Sequence, residues 1–514
     1  MCLPGIVRPV VEAVFGAARR CWPGVLVLAL TLVTSACVAS DAAVGRAGDV
    51  VRTASGLVRG TSTPDHRLFQ GIPYAAAPVG ERRWQPPAAA GSWPGERDAT
   101  KPGPRCPQAP AGGAATSEDC LTLNVWTPTA GATGRPVLVW LHGGAFVNGG
   151  GDRYGAERLV SRGDEIVVTL NYRLGTLGFL ADPALGAQPG NYGFLDQQQA
   201  LRWVRDNIAA FGGDPAAVTI AGESAGGMSV CDHLVAPGSR GLFRAAIIQS
   251  GPCQAQASMV AAEETSVRYA AALGCRDRAT AAACLRALPA AKLLDSPAYV
   301  SVAGIEMPGP VTGGSVIPVS PPDGARGGSA VPVPVLLGTT HDEFTYFLAQ
   351  QTASGKAVTR HSYPAALAKV FPDAAAVAAT YPVDAFSGNA SLAYAAAVTD
   401  WGFACPAARM AGSLPSVSTY EFADPTSPAA KAVSAPFPLG APHTAELPYL
   451  FDFDGKPPAF TPAQQRLADR MVDDWTAFVR GRAGGTAVSY RQEGARPLTG
   501  FTHHHQCGFW AARS

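Results

Sequence analysis

The chain has 514 residues, of which 47% are hydrophobic, and this is enough apolar material for a large core in one big α/β domain or in two or three smaller domains. The 40 basic and 39 acidic residues give a formal net charge of +1, so no long-range field steers the protein toward nucleic acid. We therefore exclude intrinsic disorder for the bulk of the chain and nucleic-acid binding as a function.

The N-terminus has the pattern of an export signal. Arginines precede an apolar segment, residues 25–33, which is too short for a comfortable membrane span and ends in small residues. The sequence Val-Thr-Ser-Ala-Cys that ends at Cys37 resembles a bacterial lipobox. We therefore predict a lipoprotein-type signal peptide over residues 1–36, a lipidated Cys37 and a small-residue tether over residues 37–48. Simple secretion after cleavage near Ser40 is the alternative, and an uncleaved anchor is a third.

The folded part begins with an antiparallel hairpin, because residues 51–60 alternate between apolar and polar side chains. Strand and helix patterns then alternate along the chain, and the strands are nearly continuous apolar runs. This pattern predicts an α/β fold with a mostly parallel central sheet and helices on both faces. No internal repeat or linker is evident, so residues 49–514 are predicted to be a single domain. The predicted strands are residues 137–141, 166–170, 218–221, 245–249 and 333–337, and the predicted helices include residues 195–211 and 462–480.

Two motifs at strand ends indicate acyl-transfer chemistry. The strand at 218–221 leads into Gly-Glu-Ser224-Ala-Gly and then a helix, which is the pattern of a nucleophile elbow. By itself this match could equally be an ordinary glycine-rich turn. The strand at 137–141 ends in His-Gly-Gly-Ala-Phe, and we predict that the backbone N–H groups of Gly144, Ala145 and Ala225 stabilise an oxyanion. A phosphate-binding loop is disfavoured because no Lys-Ser/Thr pair follows.

The cysteine count supports export. If Cys2 and Cys21 leave with the signal and Cys37 carries lipid, eight of the eleven cysteines remain, an even number that fits an oxidising compartment. A bond between Cys405 and Cys507 would fasten the C-terminal segment to the body, with a loop-entropy gain of about 4–5 kcal/mol. The alternative is that some cysteines, Cys231 and Cys253 first, are buried free thiols. The pairs predicted from spacing are Cys106–Cys120, Cys231–Cys253, Cys275–Cys284 and Cys405–Cys507.

Ordered matches over most of the chain, from about Val51 to Trp510, resemble the type-B carboxylesterases, an α/β-hydrolase family that also contains the cholinesterases. The resemblance implies the α/β-hydrolase fold, a bacterial exported esterase, and a nucleophile, acid and histidine in that chain order. The matching segments are Phe-Gln-Gly-Ile-Pro-Tyr at 69–74, Ser-Glu-Asp-Cys-Leu-Thr-Leu-Asn-Val-Trp at 117–126, 142–146, Asn-Tyr-Arg-Leu-Gly-Thr-Leu-Gly-Phe at 171–179, 190–198, 207–215 and 222–227.

The same resemblance assigns the acid and the base. Residues 338–343, Gly-Thr-Thr-His-Asp-Glu, match the acid loop of the family, so Glu343 is the predicted acid and Asp342 its alternative. Phe344 departs from the glycine usual in the family. The stretch that starts at His443 matches the catalytic-histidine segment, with Glu446 as its usual structural companion. We predict that His443 takes the proton of Ser224 and returns it to the departing alcohol.

Other residues receive weaker assignments. Glu223 and Ser250 resemble family positions near the triad, although a purely structural carboxylate is an equal interpretation of Glu223. Phe146, Trp401 and Phe403 are predicted to line an apolar acyl or alcohol pocket. The loop between the first two paired cysteines holds no aromatic residue, whereas cholinesterases place there a tryptophan that binds quaternary ammonium, so a choline-ester specialist is not expected.

The sequence therefore predicts an exported serine esterase that acts on small-molecule esters and needs no cofactor and no metal. His503, His504 and His505 form a histidine run, which we interpret as a partly exposed turn rather than a metal cluster. One alternative is a non-catalytic cell-surface binding protein, since the family includes receptors that have lost the nucleophile. Another is an amidase or a carbamate hydrolase, because the same triad can cleave those bonds.

Overall fold

The computed structural model describes residues 49–109, 113–129, 131, 133–186, 189–302, 304–428, 433–482 and 485–513. The predicted signal peptide, Cys37 and the tether up to residue 48 lie outside the described residues. Among the helices that the structure describes, none has the length and apolar character needed to cross a bilayer.

Short strands are spread along the whole described chain. In chain order they are β1 (Val50–Thr53), β2 (Gly56–Arg59), β3 (Thr61–Ser62), β4 (His66–Pro73), β5 (Glu96–Asp98), β6 (Thr122–Pro128), β7 (Arg135–Leu141), β8 (Tyr154–Gly155), β9 (Ile166–Leu170), β10 (Gly213–Glu223), β11 (Ala245–Gln249), β12 (Ala257–Ser258), β13 (Val300–Val302), β14 (Ile305–Met307), β15 (Val311–Thr312), β16 (Val335–Thr340), β17 (Val417–Phe422), β18 (Asp452–Phe453), β19 (Ala487–Arg491) and β20 (Gly494–Pro497).

Helices fill most of the connections between the strands. They are α1 (Glu157–Gly163), α2 (Gly175–Phe179), α3 (Tyr192–Asn207), α4 (Ala225–Val235), α5 (Met259–Ala272), α6 (Ala281–Ala287), α7 (Pro321–Arg326), α8 (Glu343–Ala353), α9 (Tyr363–Ala368), α10 (Ala374–Thr380), α11 (Ala390–Thr399), α12 (Cys405–Ser413), α13 (Leu447–Leu450), α14 (Pro462–Val479), α15 (Phe501–His504) and α16 (Cys507–Ala511).

The main sheet has 11 strands in the order β20-β19-β17-β16-β11-β10-β7-β9-β6-β4-β3. Neighbours from β19 to β9 in this order pair in parallel, whereas β20 at one edge and β6, β4 and β3 at the other pair antiparallel. The N-terminal hairpin is antiparallel, with Val51 opposite Val58. The prediction of an α/β-hydrolase fold with a mostly parallel sheet and an N-terminal hairpin is confirmed.

Helices cover both faces of this sheet, as the side chains of β7 show. Successive side chains of a strand point to opposite faces. Val139 belongs to the same apolar core as Leu201 of α3, whereas Trp140 belongs to the core that contains Leu159 of α1 and Trp475 of α14. Because both faces are buried, the strand has to be apolar throughout, which is why it is a continuous apolar run in the sequence.

All five predicted strands are present, and two of them have both predicted bounds. β9 and β11 have the bounds predicted from their apolar runs. β16 continues through Gly338 to Thr340, because these residues pair with β17. A side chain at Gly338 would place its Cβ 2.3 Å from the ring of Tyr420, so glycine permits the close approach of the two strands.

All four predicted disulfides are present, including Cys231–Cys253, so the free-thiol alternative is excluded for this pair. The bond between Cys405 and Cys507 spans 102 residues and joins the start of α12 to the start of α16. Several disulfides of this kind fit an oxidising, extracytoplasmic compartment. The other bonds are Cys106–Cys120, Cys231–Cys253 and Cys275–Cys284.

Candidate active site

Ser224 lies on the tight turn between β10 and α4, with φ 56° and ψ −122°. A Cβ at Gly226 would lie 1.9 Å from the carbonyl oxygen of Leu141, and one at Gly222 would lie 2.5 Å from the carbonyl group of Gly226. The Ser224 N–H donates to the carbonyl of Gln249, at 2.9 Å, which ties the turn to the next strand. Only glycine fits at the two flanking positions, so the strained serine conformation depends on them.

His443 is held by Glu343, the first residue of α8. The Nδ1–H of His443 donates to Oε2 of Glu343 at 2.5 Å, and Oε1 of the same carboxylate accepts from the backbone N–H of Thr340 at 2.9 Å. Both side chains are buried. Asp342, the alternative acid, instead accepts from the backbone N–H of Ala441 at 2.9 Å. Of the two carboxylates, Glu343 is therefore the one that orients the imidazole.

The other edge of the imidazole faces the nucleophile turn. His443 Nε2 lies 3.1 Å from Oε1 of Glu223. Ser224, Glu223 and His443 line one cavity together with Gly144 and Ala145. The structure thus brings the predicted nucleophile, base and oxyanion loop into one cavity, with the predicted acid directly behind the base.

Sequence analysis did not single out Gln249, which connects the site to the core. Its Nε2 donates to Oε1 of Glu446 at 3.2 Å, and its Oε1 accepts from the indole N–H of Trp475 at 2.9 Å. A glutamine at the end of an otherwise apolar strand, just before Ser250, was the available signal. Its hydrogen bonds fix the buried Glu446, whose charge acts on His443.

The negative charges of the buried carboxylates around His443 change the pKa values of His443 and Glu446. Burial lowers the pKa of His443, but the negative charges of Glu223 and Glu343 and the hydrogen bond to Glu343 outweigh it and raise the pKa to about 9. Burial, together with the charges of Glu223 and Glu343, raises the pKa of Glu446 to about 8. At neutral pH the cluster therefore favours an imidazolium at His443 and a protonated Glu446.

The loop after β7 has the backbone expected of an oxyanion site. Gly144, Ala145 and Phe146 have φ values of 114°, 54° and 57°. The Gly144 carbonyl accepts from the N–H groups of Val147 and Asn148 at 3.0 and 3.1 Å, so it is turned into the loop. Ala225 is the first residue of α4, and a helix leaves its first N–H groups without intrahelical partners.

His142 fixes the start of this loop. Its Nδ1–H donates to the carbonyl of Gly143 at 2.8 Å, and its ring stacks on Tyr172 with 4.3 Å between the ring centroids. The Tyr172 hydroxyl donates to the carbonyl of His142 at 2.7 Å. Burial lowers the pKa of His142 to about 4, so this imidazole stays neutral and acts as a fixed hydrogen-bonding group.

The cavity has a volume of about 220 Å³ and a mixed aromatic and polar wall. Sequence reasoning missed most of this wall, including Tyr346 and Phe347, one turn after Glu343 on α8. Phe344, the departure from the family pattern, is fully buried and packs against Phe347 at 5.7 Å between centroids. The further lining residues are Asn148, Arg153, Tyr154, Ile305, Gln350, Thr444, Leu447 and Phe453.

The three predicted pocket residues lie outside this wall. Phe403 packs behind the His443 ring at 5.6 Å between centroids, Phe146 is buried against Phe179 at 5.0 Å, and Trp401 is 36% exposed. Ser250 follows β11 and is buried, with its N–H donating to the carbonyl of Gly338 at 2.8 Å. A role in substrate binding for the aromatic residues, and a supporting role for Ser250, stay predictions.

Comparison with known proteins agrees with this site. A family model described as "Carboxylesterase family" matches residues 47–492. Para-nitrobenzyl esterase of Bacillus subtilis is 39% identical over 310 residues, covering 57% of this chain and 63% of that protein. Acylcarnitine hydrolase of Mus musculus is 35% identical over 451 residues, covering 80% and 78% of the two chains. Acetylcholinesterase of Bungarus fasciatus is 33% identical over 506 residues, covering 89% and 82%. The chain therefore belongs to the carboxylesterase family, and its activity is that of a carboxylic-ester hydrolase.

Proposed function

We propose that this protein cleaves esters through an acyl-enzyme, with Ser224 as nucleophile, His443 as general base and Glu343 as the acid that orients it. The observation that carries the proposal is the placement of His443. Its Nδ1 lies 2.5 Å from Glu343, and the ring borders the cavity that also exposes Ser224. A base that is held by a buried carboxylate on one side and shares a cavity with the serine on the other is suited to activate that serine.

The reaction follows from these positions. Ser224 Oγ attacks the ester carbonyl as its proton passes to His443 Nε2, and the N–H groups of Gly144, Ala145 and Ala225 donate to the oxyanion. The intermediate collapses, the alcohol leaves with the proton from His443, and Ser224 keeps the acyl group. Water then attacks the acyl-enzyme, gives its proton to His443, and the carboxylic acid is released with Ser224 restored. Glu343 and Glu223 stabilise the imidazolium in both halves of the cycle, and Ser250 is placed as a supporting residue.

The size of the cavity favours small substrates. Drug-sized ligands occupy pockets of about 300–1,000 Å³, and the cavity here is about 220 Å³. Tyr346, Phe347 and Phe453 give it aromatic walls, which suit a short acyl chain or a small aromatic alcohol. We infer that short-chain esters are turned over faster than long-chain esters.

A panel of p-nitrophenyl esters of graded acyl length tests the proposal. Ser224→Ala should lose at least about 1,000-fold in kcat, because the acyl-enzyme cannot form. The kcat of Glu343→Gln should fall far below that of its matched control Asp342→Asn, because Asp342→Asn leaves the contact between Glu343 and His443 intact. Equal ester hydrolysis by wild type and Ser224→Ala would refute the mechanism, and if both rates equal the uncatalysed background they would support the non-catalytic alternative. Faster turnover of matched anilides or carbamates would support the amidase or carbamate alternative.

We propose further that the protein is exported and anchored by lipid on Cys37, on the support of the lipobox-like sequence and of disulfides that need an oxidising compartment. A Cys37→Ala variant should move from the membrane fraction to the soluble fraction of the cell envelope or to the medium. Cys21→Ala, which changes a cysteine inside the predicted signal, is the matched control. Unchanged fractionation of Cys37→Ala would contradict the anchor.

A further inference from the structure

A second cluster of chemically active side chains lies apart from the cavity of Ser224. His341 follows β16, Glu421 lies on β17, and His505 lies between α15 and α16. One nitrogen or oxygen of each residue lies within 4.8 Å of those of the other two. Glu421 and His505 are buried, and the side chain of His341 is 43% exposed. Three segments that are distant in the sequence thus present two imidazoles and a carboxylate at one place near the surface.

The three consecutive histidines near the C-terminus differ in solvent exposure. His503 and His504 are exposed, as expected for a surface turn. His505 lies in the turn between α15 and α16 but is 3% exposed, so the expectation of a partly exposed position is wrong for this residue. Its backbone carbonyl oxygen lies 3.1 Å from Cys405 Sγ, so the disulfide to Cys507 lies next to the cluster.

A buried carboxylate holds His505 from behind. His505 Nδ1–H donates to Oδ1 of Asp400 at 2.5 Å, and the other oxygen of Asp400 accepts from the Tyr381 hydroxyl at 2.7 Å. Asp400 opens the π-helical turn Asp400–Ala404, a feature found frequently at functional sites. A carboxylate on Nδ1 directs the Nε2 lone pair outward, and this is the usual support of a metal-bound histidine. Nε2 points to Glu421, 2.9 Å away.

From this arrangement we propose that His341, Glu421 and His505 form a binding site for a divalent transition metal ion, zinc in the first instance. Two imidazoles and a carboxylate are a ligand set that zinc accepts at about 2.0–2.1 Å, which places the ligand atoms about 3.4 Å apart in a tetrahedron. The partly exposed His341 closes the remaining gap by rotation of its side chain. A cavity of about 340 Å³ lined by His341, Asp400 and His505 leaves room for water as a fourth ligand.

The ion has a structural role in this proposal. Without the ion, protonated His505 is an ion-pair partner of both Asp400 and Glu421, and these contacts join the C-terminal segment to the π-helical turn and to β17. Zinc replaces the proton between His505 and Glu421 and adds His341 to the cluster. His341 lies two residues before Glu343, so the ion fastens the loop that carries the catalytic acid to β17 and to the C-terminal segment.

Zinc titration of the metal-depleted full-length protein tests this site. Wild type should bind one zinc ion per chain and show a rise in Tm, and cobalt should give the visible absorption of a tetrahedral nitrogen–oxygen site. His341→Ala, at a partly exposed position that does not threaten folding, should weaken zinc binding by about 10–100-fold and lose the cobalt spectrum. His504→Ala, an exposed histidine of the same C-terminal segment, is the control and should match wild type.

Several results would overturn the proposal. One is a wild-type protein whose Tm and cobalt spectrum do not respond to the metals. Another is equal zinc affinity of wild type and His341→Ala, which would assign the ion to another site. A third is a decrease in the zinc affinity of His504→Ala as large as that of His341→Ala. The proposed triad is tested separately by ester hydrolysis of Ser224→Ala in the zinc-loaded protein, because no ligand of the ion lines the cavity of Ser224.

Discussion

Glu223→Gln removes one negative charge 3.1 Å from His443 Nε2 and keeps the size of the side chain. Opposite unit charges at this distance interact by about 5 kcal/mol at an effective dielectric constant of about 20, an upper limit for a contact that other charges share. An opposite charge this close shifts a pKa by about 1–3 units. The pKa of His443, about 9 in the wild type, should therefore fall in the variant. We expect a decrease of about 1–2 units.

The sign of the effect on activity follows from the mechanism. Only the neutral imidazole accepts the proton of Ser224, so kcat/KM rises with pH as His443 loses its proton. A lower pKa moves this acid limb to lower pH in Glu223→Gln. The lost charge also destabilises the imidazolium of the transition state, and at 1.36 kcal/mol per pKa unit the plateau of kcat/KM at high pH should fall by about 10–100-fold.

The assay is the pH profile of kcat/KM for a short p-nitrophenyl ester, read at a wavelength where absorption does not depend on pH. Glu446→Gln is the matched control, because Glu446 has its pKa raised to about 8 by burial and by the neighbouring carboxylates, and its protonated form resembles glutamine. Its acid limb should move much less. An unchanged limb in Glu223→Gln, or equal shifts in the two variants, would refute the assignment of Glu223 as the charge that governs His443.

Three further changes test other parts of the structure. Replacing Cys405 and Cys507 by alanine opens a closure of 102 residues and should lower the free energy of unfolding by about 5 kcal/mol in denaturant melts; a loss below about 1 kcal/mol would contradict the loop-entropy argument. Burial raises the pKa of Glu165 from 4.5 to about 8, so stability falls as pH rises through this interval, and Glu165→Gln should raise Tm by a few degrees at pH 8 but hardly at pH 5. Equal changes at both pH values would contradict this. Gly226→Ala places a Cβ 1.9 Å from the Leu141 carbonyl and should lower kcat by at least about 100-fold in a folded protein, whereas near-wild-type turnover would show that the turn can relax.

The sequence predicted the central sheet because its strands are buried on both faces and are therefore continuous apolar runs. β9 and β11 had the observed bounds, whereas α3 begins at Tyr192, three residues before its predicted start. β16 was predicted to begin two residues too early and to end three residues too early, and the missed end, Gly-Thr-Thr, has weak strand propensity of its own. Its pairing with β17, which brings Gly338 against the ring of Tyr420, makes it a strand.

Some residues of the candidate site were also predicted from the sequence, and others were not. Ser224 follows β10 within a short motif, whereas Glu343 and His443 were assigned by the resemblance to the carboxylesterases. The structure places Ser224 and His443 at one cavity, with Glu343 behind His443. The wall of the cavity has no such motif, since Tyr346 and Phe347 are ordinary residues of an amphipathic helix until the sheet brings α8 beside the nucleophile turn. Tertiary pairing of distant segments is the information that the sequence pattern lacked.

Positive φ angles at residues other than glycine identify the same site independently of any sequence motif. Ala145, Phe146, Ser224, Ser250 and Thr444 all have positive φ although none is glycine. Such a conformation destabilises a residue by about 1–3 kcal/mol, and it persists only where the surrounding structure imposes it. All five lie in the loops that follow β7, β10 and β11 or beside His443, where the carboxyl ends of parallel strands meet. A core buried on both faces of the sheet, rather than the site itself, supplies the stability that holds these residues in place, and this is why the rigid scaffold and the strained loops occur together.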